Sequence, residues 1–275
     1  MTGPFFSAHR TMKYTYEQLA KMIDHSLLHP TMTDQELDDG CRLAARYGVA
    51  SVCIKPYAVK RAAELLRGTG VLVGAVIGFP HGNSATESKR YETGLACKDG
   101  AAEIDMVINL GKALSGDWDH VESDVKAVCD EAAKHGAQVK VIFENDYLTK
   151  GGAGLGSDEF KVKLCQICER AGAAWVKTSS GYGFVKQPDG GYNYKGATEH
   201  DLALMRANVS AKVQVKAAGG VRDLDGLIKV RDLGGSRCGA TATAAMMDEY
   251  RRREAAEQAG AVVEAKSAAI GSGGY

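Results

Sequence analysis

The constraint that most narrows the fold of this chain is an alternation. From about residue 20 onward, short apolar runs and amphipathic helical stretches follow one another, and the apolar runs end in Gly, Pro, Asp or Lys rather than in hairpin turns. Strands separated by helices cannot pair as hairpins, so the pattern calls for parallel strands. The strand candidates are 22–26, 50–54, 71–78, 102–108, 139–144, 173–178, 212–216 and 236–239. Helices fit between them. Thr33 with Glu36 and Ser84 with Glu87 read as capping boxes, and Thr198 opens a further helix with Asp201 in the matching place. Trp118, Val121, Val125, Val128 and Ala132 fall on one helical stripe, as do Phe160, Leu164, Ile167 and Ala171, so each helix has one side to bury against a sheet. Strand–helix units repeated eight times in about 250 residues make a (β/α)8 barrel, an α/β fold of the TIM type. The expectation is one domain over 1–275, with a core of about 22–260, an extra helix ahead of the first strand and a flexible tail at about 266–275.

Composition limits the partners. Lys+Arg and Asp+Glu both total 34, so there is no basic excess for nucleic acid, and a small ligand is expected. No run reaches the roughly 18 apolar residues of a membrane span. Residues 1–14 lack an apolar segment long enough for a secretory signal, which points to the cytoplasm. The seven cysteines are scattered, and Cys165 and Cys168 lie within a helical pattern with no second pair nearby. They read as reduced core residues rather than zinc ligands.

Side-chain parity in the strands says more. In 103–108, apolar Ile104, Met106 and Ile108 share the face that packs on helices, which turns Asp105 inward. The same rule turns Glu144 inward in 139–144 and Lys216 in 212–216, and Lys177 shares a face with Ala173 and Trp175. With Asp24 near the end of the first strand, charges converge at the carboxyl mouth, where barrels of this kind build active sites. Lys177 and Lys216 each end a strand and run into a glycine-rich turn. A lysine amine is a nucleophile only when neutral, and enclosure beside a second ammonium favours the neutral form. Two such lysines suggest a Schiff-base nucleophile and a tuner of its pKa, with Asp105 or Asp24 relaying protons. The turns at Gly219–Gly220 and Gly239, with Gly181 after Lys177, suit a phosphate held on backbone N–H groups.

These residues carry a resemblance. Ile-Asp24-His-Ser-Leu-Leu, Ser-Val-Cys53-Ile, Glu-Ile-Asp105-Met-Val-Ile-Asn, Val-Lys177-Thr-Ser-Ser-Gly, Val-Lys216-Ala-Ala-Gly-Gly-Val-Arg and Arg-Cys-Gly-Ala-Thr are similar to the deoxyribose-phosphate aldolase family, over about residues 23–243. The resemblance implies reversible cleavage of 2-deoxyribose 5-phosphate to glyceraldehyde 3-phosphate and acetaldehyde, with no metal or organic cofactor. It implies Lys177 as the Schiff-base lysine, Lys216 as the lysine that lowers its pKa, and Asp105 in the proton relay. Gly219, Gly220 and Gly239 fall at the phosphate site; Asp24, Cys53, Thr178 and Gly181 are expected substrate neighbours. Tyr275, ending a Gly-Ser-Gly-Gly tail, is expected to assist proton transfer, and family members are often dimers or tetramers.

There are departures. The family commonly has asparagine at Lys55 and lysine at His29, and the segment 184–196 is about ten residues longer than usual and is expected to form a flap near the mouth. Two alternatives stay open on the sequence: a lysine aldolase of the same family acting on another aldehyde, and an idle barrel that only binds a phosphate ligand. A phosphate-sugar isomerase fits less well, having no need of two mouth lysines.

Overall fold

Parallel strands that are each followed by a helix leave unpaired edges unless the sheet closes on itself. In a computed structural model, which describes residues 12–261 and 270, it does close. The strands are β1 (Ile23–Leu27), β2 (Ser51–Ile54), β3 (Leu72–Ile77), β4 (Glu103–Val107), β5 (Gln138–Ile142), β6 (Trp175–Lys177), β7 (Val185–Lys186), β8 (Tyr192–Asn193), β9 (Gln214–Ala218) and β10 (Gly235–Ala240). Eight of them form a closed parallel barrel in the order β1-β10-β9-β6-β5-β4-β3-β2, while β7 and β8 pair antiparallel as a separate hairpin. All eight expected barrel strands are present, and the extra helix is Tyr16–Ala20, started by a Thr15–Gln18 capping box. Apart from Ile270, the tail lies outside the described residues. No helix among those described is long and apolar enough to cross a membrane.

The apolar stripes pack as their periodicity requires. Val121, Val125, Val128 and Ala132 of the helix Trp118–Ala133 are fully buried, as are Phe160, Leu164 and Ile167 of the helix Ser157–Ala171. Trp118 is half-buried and meets Phe160 edge-on at 4.9 Å. Cys165 and Cys168 lie on the buried face of the same helix, where desolvation pushes both thiols up, Cys165 to about 12. Thr33 and Glu36 form their capping box, and Thr198 accepts from the Asp201 backbone N–H.

Two local expectations need correction. Ser84 does not cap: the helix Thr86–Lys98 begins after Ala85 with no side-chain cap. Its anchor is tertiary. Lys89, fully buried, donates to Asp124 Oδ2 at 2.6 Å and to the Val107 carbonyl at 2.9 Å, and the Thr86 hydroxyl donates to Asp124 Oδ1 at 2.8 Å. Asp201 does not reach back to close a capping box; its carboxylate takes Lys161 Nζ at 2.5 Å, tying two neighbouring helices. In both places a buried ion pair outranks a local helix signal.

A buried ammonium stripped of its partner is costly to keep charged. Asp124→Ala is expected to lower unfolding free energy by about 3–5 kcal/mol, measured by chemical denaturation. The double variant Lys89→Met/Asp124→Leu is expected to lose less than that single change. Additive losses would show that the pair is not coupled.

Candidate active site

Register brings the site together. Lys177 and Lys216 are direct partners on adjacent β6 and β9, so both side chains leave the sheet on the same side. Asp105 on β4 is the partner of Lys140 on β5, and Asp24 on β1 is the partner of Gly239 on β10. Asp105 Oδ2 lies 2.6 Å from Lys177 Nζ and 2.7 Å from Lys216 Nζ. Lys216 Nζ also reaches Asp24 Oδ2 at 2.6 Å. The two lysines therefore differ: Lys177 has one carboxylate and Lys216 has two.

Beneath them is an ionic layer that sequence reasoning missed. Lys140 Nζ, fully buried, contacts Glu103 at 2.5 Å, Asp24 at 3.0 Å and Asp105 at 3.2 Å. Arg237 on β10 bridges Asp24 at 2.6 Å and Glu103 at 2.7 Å. The Trp175 ring sits beside both cations, 5.6 Å from Lys140 Nζ and 5.2 Å from the Arg237 guanidinium carbon. Glu103 and Lys140 had a signal, since the parity that turns Asp105 and Glu144 inward turns their neighbours two and four residues back inward too. Arg237 had none, because Gly-Ser-Arg-Cys-Gly-Ala does not alternate.

Charge accounting in this enclosed network singles out one amine. Three carboxylates, Asp24, Glu103 and Asp105, face four cationic side chains, Lys140, Lys177, Lys216 and Arg237. Neutrality is reached if one lysine gives up its proton, and buried excess charge is expensive. Burial, joined by the charge of Lys216, pulls the Lys177 amine below its ordinary value despite Asp105. Burial would lower Lys216 as well, but Asp105 and Asp24 more than offset it and hold that amine well above the usual range. Burial works against the charged Asp105 carboxylate, yet Lys140, Lys177 and Lys216 keep it well below the usual carboxylate range. Asp105 thus lies within hydrogen-bond distance of two amines whose pKa values are driven in opposite directions, Lys177 down and Lys216 up.

Lys177 and Lys216 line a cavity at the carboxyl mouth together with Cys53, Gly181, Gly219, Gly220 and Gly239. Gly219 and Gly220 both have positive φ, 83° and 82°, presenting the backbone of the turn to the cavity. Thr241 also lines it, and the helix Thr243–Gln258 that follows starts without a side-chain cap, so its first N–H groups are not taken by a side chain there. Leu28 and Cys53, which also line the cavity, form a small apolar cluster with Val76, Phe79 and Tyr182. The cavity thus combines an apolar patch with backbone donors.

Two expected substrate neighbours turn inward to the protein. Asp24 is fully buried and committed to Lys216, Lys140, Arg237 and the Ser51 hydroxyl, so it acts on the lysines beneath the cavity. The Thr178 hydroxyl donates to the Ala218 carbonyl at 3.1 Å and accepts from the Ala218 N–H at 3.0 Å, which braces the turn before Gly219. Glu144 needs a correction: β5 ends at Ile142, and Glu144 adopts φ 58°, so strand parity no longer governs it. Its carboxylate accepts the Ser180 N–H at 3.0 Å and bonds the Ser180 hydroxyl instead of facing the lysine pair. Burial pushes it up to about 7. Lys55 donates to the carbonyls of His29 and Met32 at the rim. Tyr275 lies outside the described residues.

The geometry has relatives. A family model described as DeoC/LacD family aldolase matches residues 18–263. A deoxyribose-phosphate aldolase of Rhodopirellula baltica is 49% identical over 240 residues, 87% of this chain and 92% of the relative. Another, from a Geobacillus species, is 44% identical over 230 residues, 84% of this chain and 95% of the relative. Among solved structures, the tetrameric deoxyribose phosphate aldolase of Aeropyrum pernix aligns with a TM-score of 0.73 at 28% identity, covering 86% of this chain and 92% of that one.

Removing a cation from the lower layer leaves an excess carboxylate that holds the Lys177 proton more tightly. Arg237→Met is therefore expected to shift the pH dependence of adduct formation at Lys177 to higher pH, by about one pH unit, while Arg237→Lys restores it; an unmoved profile in both would remove Arg237 from the electrostatic argument. Glu144 makes a separate prediction. An unfolded glutamate ionises near 4.5, whereas the folded one stays protonated to about 7, so its contribution to stability is full below 4.5 and is lost as pH rises to 7. Thermal unfolding from pH 4.5 to 8 is expected to show a fall of about 3 kcal/mol that Glu144→Gln removes.

Proposed function

The chain belongs to the DeoC/LacD family of aldolases, and from that membership we propose that it reversibly cleaves 2-deoxy-D-ribose 5-phosphate to D-glyceraldehyde 3-phosphate and acetaldehyde through a Schiff base on Lys177. The observation that carries the roles is the unequal sharing of carboxylates: among the described residues Asp105 alone pairs with Lys177, while Asp105 and Asp24 both pair with Lys216. An amine with one buried counter-charge and an ammonium beside it is the one that loses its proton.

Neutral Lys177 Nζ adds to the aldehyde carbon of the open-chain sugar, giving a carbinolamine whose hydroxyl leaves as water with a proton supplied from the Lys216 ammonium. The protonated imine that remains withdraws electrons. Removal of the proton from the third carbon's hydroxyl, by Asp105 acting through water, then lets the bond between the second and third carbons break. Its electron pair moves into the imine to form an enamine, and glyceraldehyde 3-phosphate departs. Protonation of the enamine carbon and addition of water release acetaldehyde and restore the amine. Each proton moves over short distances because Asp105 already touches both lysine nitrogens. The phosphate rests on the N–H groups of the Gly219–Gly220 turn and of the turn after Gly239. The donor methyl lies against the apolar cluster around Cys53. Seven free cysteines, none paired, suit a cytoplasmic enzyme.

Incubation with 2-deoxyribose 5-phosphate and borohydride, followed by peptide mass mapping, is expected to find the reduced adduct on Lys177. Lys177→Ala abolishes adduct and turnover together. Lys216→Leu lowers kcat by roughly 10²–10⁴-fold at neutral pH and recovers part of it as pH rises, because Asp105 unopposed by Lys216 keeps Lys177 protonated longer. An adduct on Lys216 instead would reverse the two roles; no adduct with any aldehyde would refute the mechanism.

A further inference from the structure

The connection between β6 and the next helix (Glu199–Ala207) carries the β7–β8 hairpin, and it is fastened to the mouth at several points. Tyr147 donates its hydroxyl to the Phe184 carbonyl at 3.1 Å. Asp146 accepts the backbone N–H groups of Lys195 at 2.6 Å and Gly196 at 3.0 Å. The Ala197 N–H donates to the Gly219 carbonyl at 3.1 Å. Gly196, at φ 78°, lies so close to Gly219 that a Cβ there would come within 2.6 Å of the Gly219 backbone carbon. The return arm of the hairpin is thus laid on the glycine turn that follows Lys216.

This clamping delivers one side chain into the cavity. Tyr194, the residue after β8, is buried at 6% exposure, although its neighbour Tyr192 is 64% exposed. Its ring lines the cavity with Lys177, Gly181 and Gly219, and a Cβ added at Gly219 would meet Tyr194 Cε2 at 3.3 Å. Phe184 backs the ring edge-on at 5.8 Å from the opposite arm. The ring therefore has support from behind and cannot swing away without opening the hairpin. It stands against the glycine turn that follows Lys216.

We infer that Tyr194 is a specificity-determining residue: its ring is a wall that limits how long a phosphorylated acceptor aldehyde can lie between Lys177 and the Gly219 turn. This rests on the aldolase reading above, which puts the acceptor there. Aromatic walls discriminate by volume, and one extra carbon against such a wall is worth about 10–200-fold in kcat/KM. A three-carbon phosphorylated aldehyde fits between amine and turn; a four-carbon homologue meets the ring.

The test is the synthetic direction, with acetaldehyde as donor and glyceraldehyde 3-phosphate or erythrose 4-phosphate as acceptor. Tyr194→Ala is expected to raise the four-carbon to three-carbon ratio of kcat/KM by about tenfold or more. Tyr194→Phe keeps the wild-type ratio, as does Tyr192→Ala at the exposed tip. Should Tyr194→Ala not fold, Tyr194→Leu, which retains an apolar side chain, reads the same change. A ratio within threefold of wild type in the folded variant overturns the inference, and so does a Tyr194→Phe variant that behaves like alanine, since the hydroxyl rather than the ring would then discriminate. Failure of the underlying reading looks different: the wild type would still trap acetaldehyde on Lys177 yet fail with both phosphorylated acceptors. The length ratio is then read with two unphosphorylated aldehydes one carbon apart, and stands or falls by the same criterion.

Discussion

One buried carboxylate organises this molecule. Asp105 contacts Lys177, Lys216 and Lys140 at 2.6–3.2 Å inside a closed barrel. A single negative charge cannot balance three ammonium groups, so the rest of the interior is arranged around that deficit. Asp24 and Glu103 bring the carboxylates to three, and Arg237 brings the cations to four. Such an array is intolerable in a dry interior unless its charges come close to cancelling. The surplus bears most on Lys177, which has the fewest counter-charges and opens into the cavity, and so the same electrostatics that make the interior possible pull that amine below its ordinary pKa.

The barrel geometry is what makes that arrangement rigid. Direct pairing of Lys177 with Lys216 follows from the β6–β9 register, and a slip of one residue would turn one of them into the helical layer. The surrounding helices hold the register through apolar stripes and through buried pairs such as Lys89–Asp124 and Lys161–Asp201. Around the mouth, the turn after β5 contributes a different kind of control. Glu144, Asp146 and Tyr147 hold the Ser180 loop and both arms of the hairpin with side-chain bonds to backbone or hydroxyl groups. The charged side chains sit on strands, and much of the cavity wall above them comes from loops.

Much of this was legible before any coordinates. Alternation of apolar runs and amphipathic helices implied parallel strands, and parity within three of them turned Asp105, Lys177 and Lys216 to the same interior. The local failures share a cause. Ser84, Asp201 and Glu144 each match a local rule, and each is overridden by a longer-range demand: the Lys89–Asp124 anchor, the Lys161–Asp201 pair, and the left-handed turn that ends β5 at Ile142. Arg237 was illegible because a strand of Gly, Ser, Cys and Ala carries no alternation from which to read a face.

By itself, then, the sequence determined the barrel and the inward direction of its lysine pair, because hydrophobic periodicity and strand parity are properties of a chain segment and need no knowledge of its neighbours. Only the tertiary structure decided which lysine has its pKa pulled down, how Asp24 and Thr178 are committed, and that Tyr194 lines the cavity. Those outcomes depend on distances between residues as far apart in sequence as Asp24 and Arg237 or Tyr194 and Gly219. Electrostatic and steric interactions act through space, and no local pattern records which distant side chains will share it.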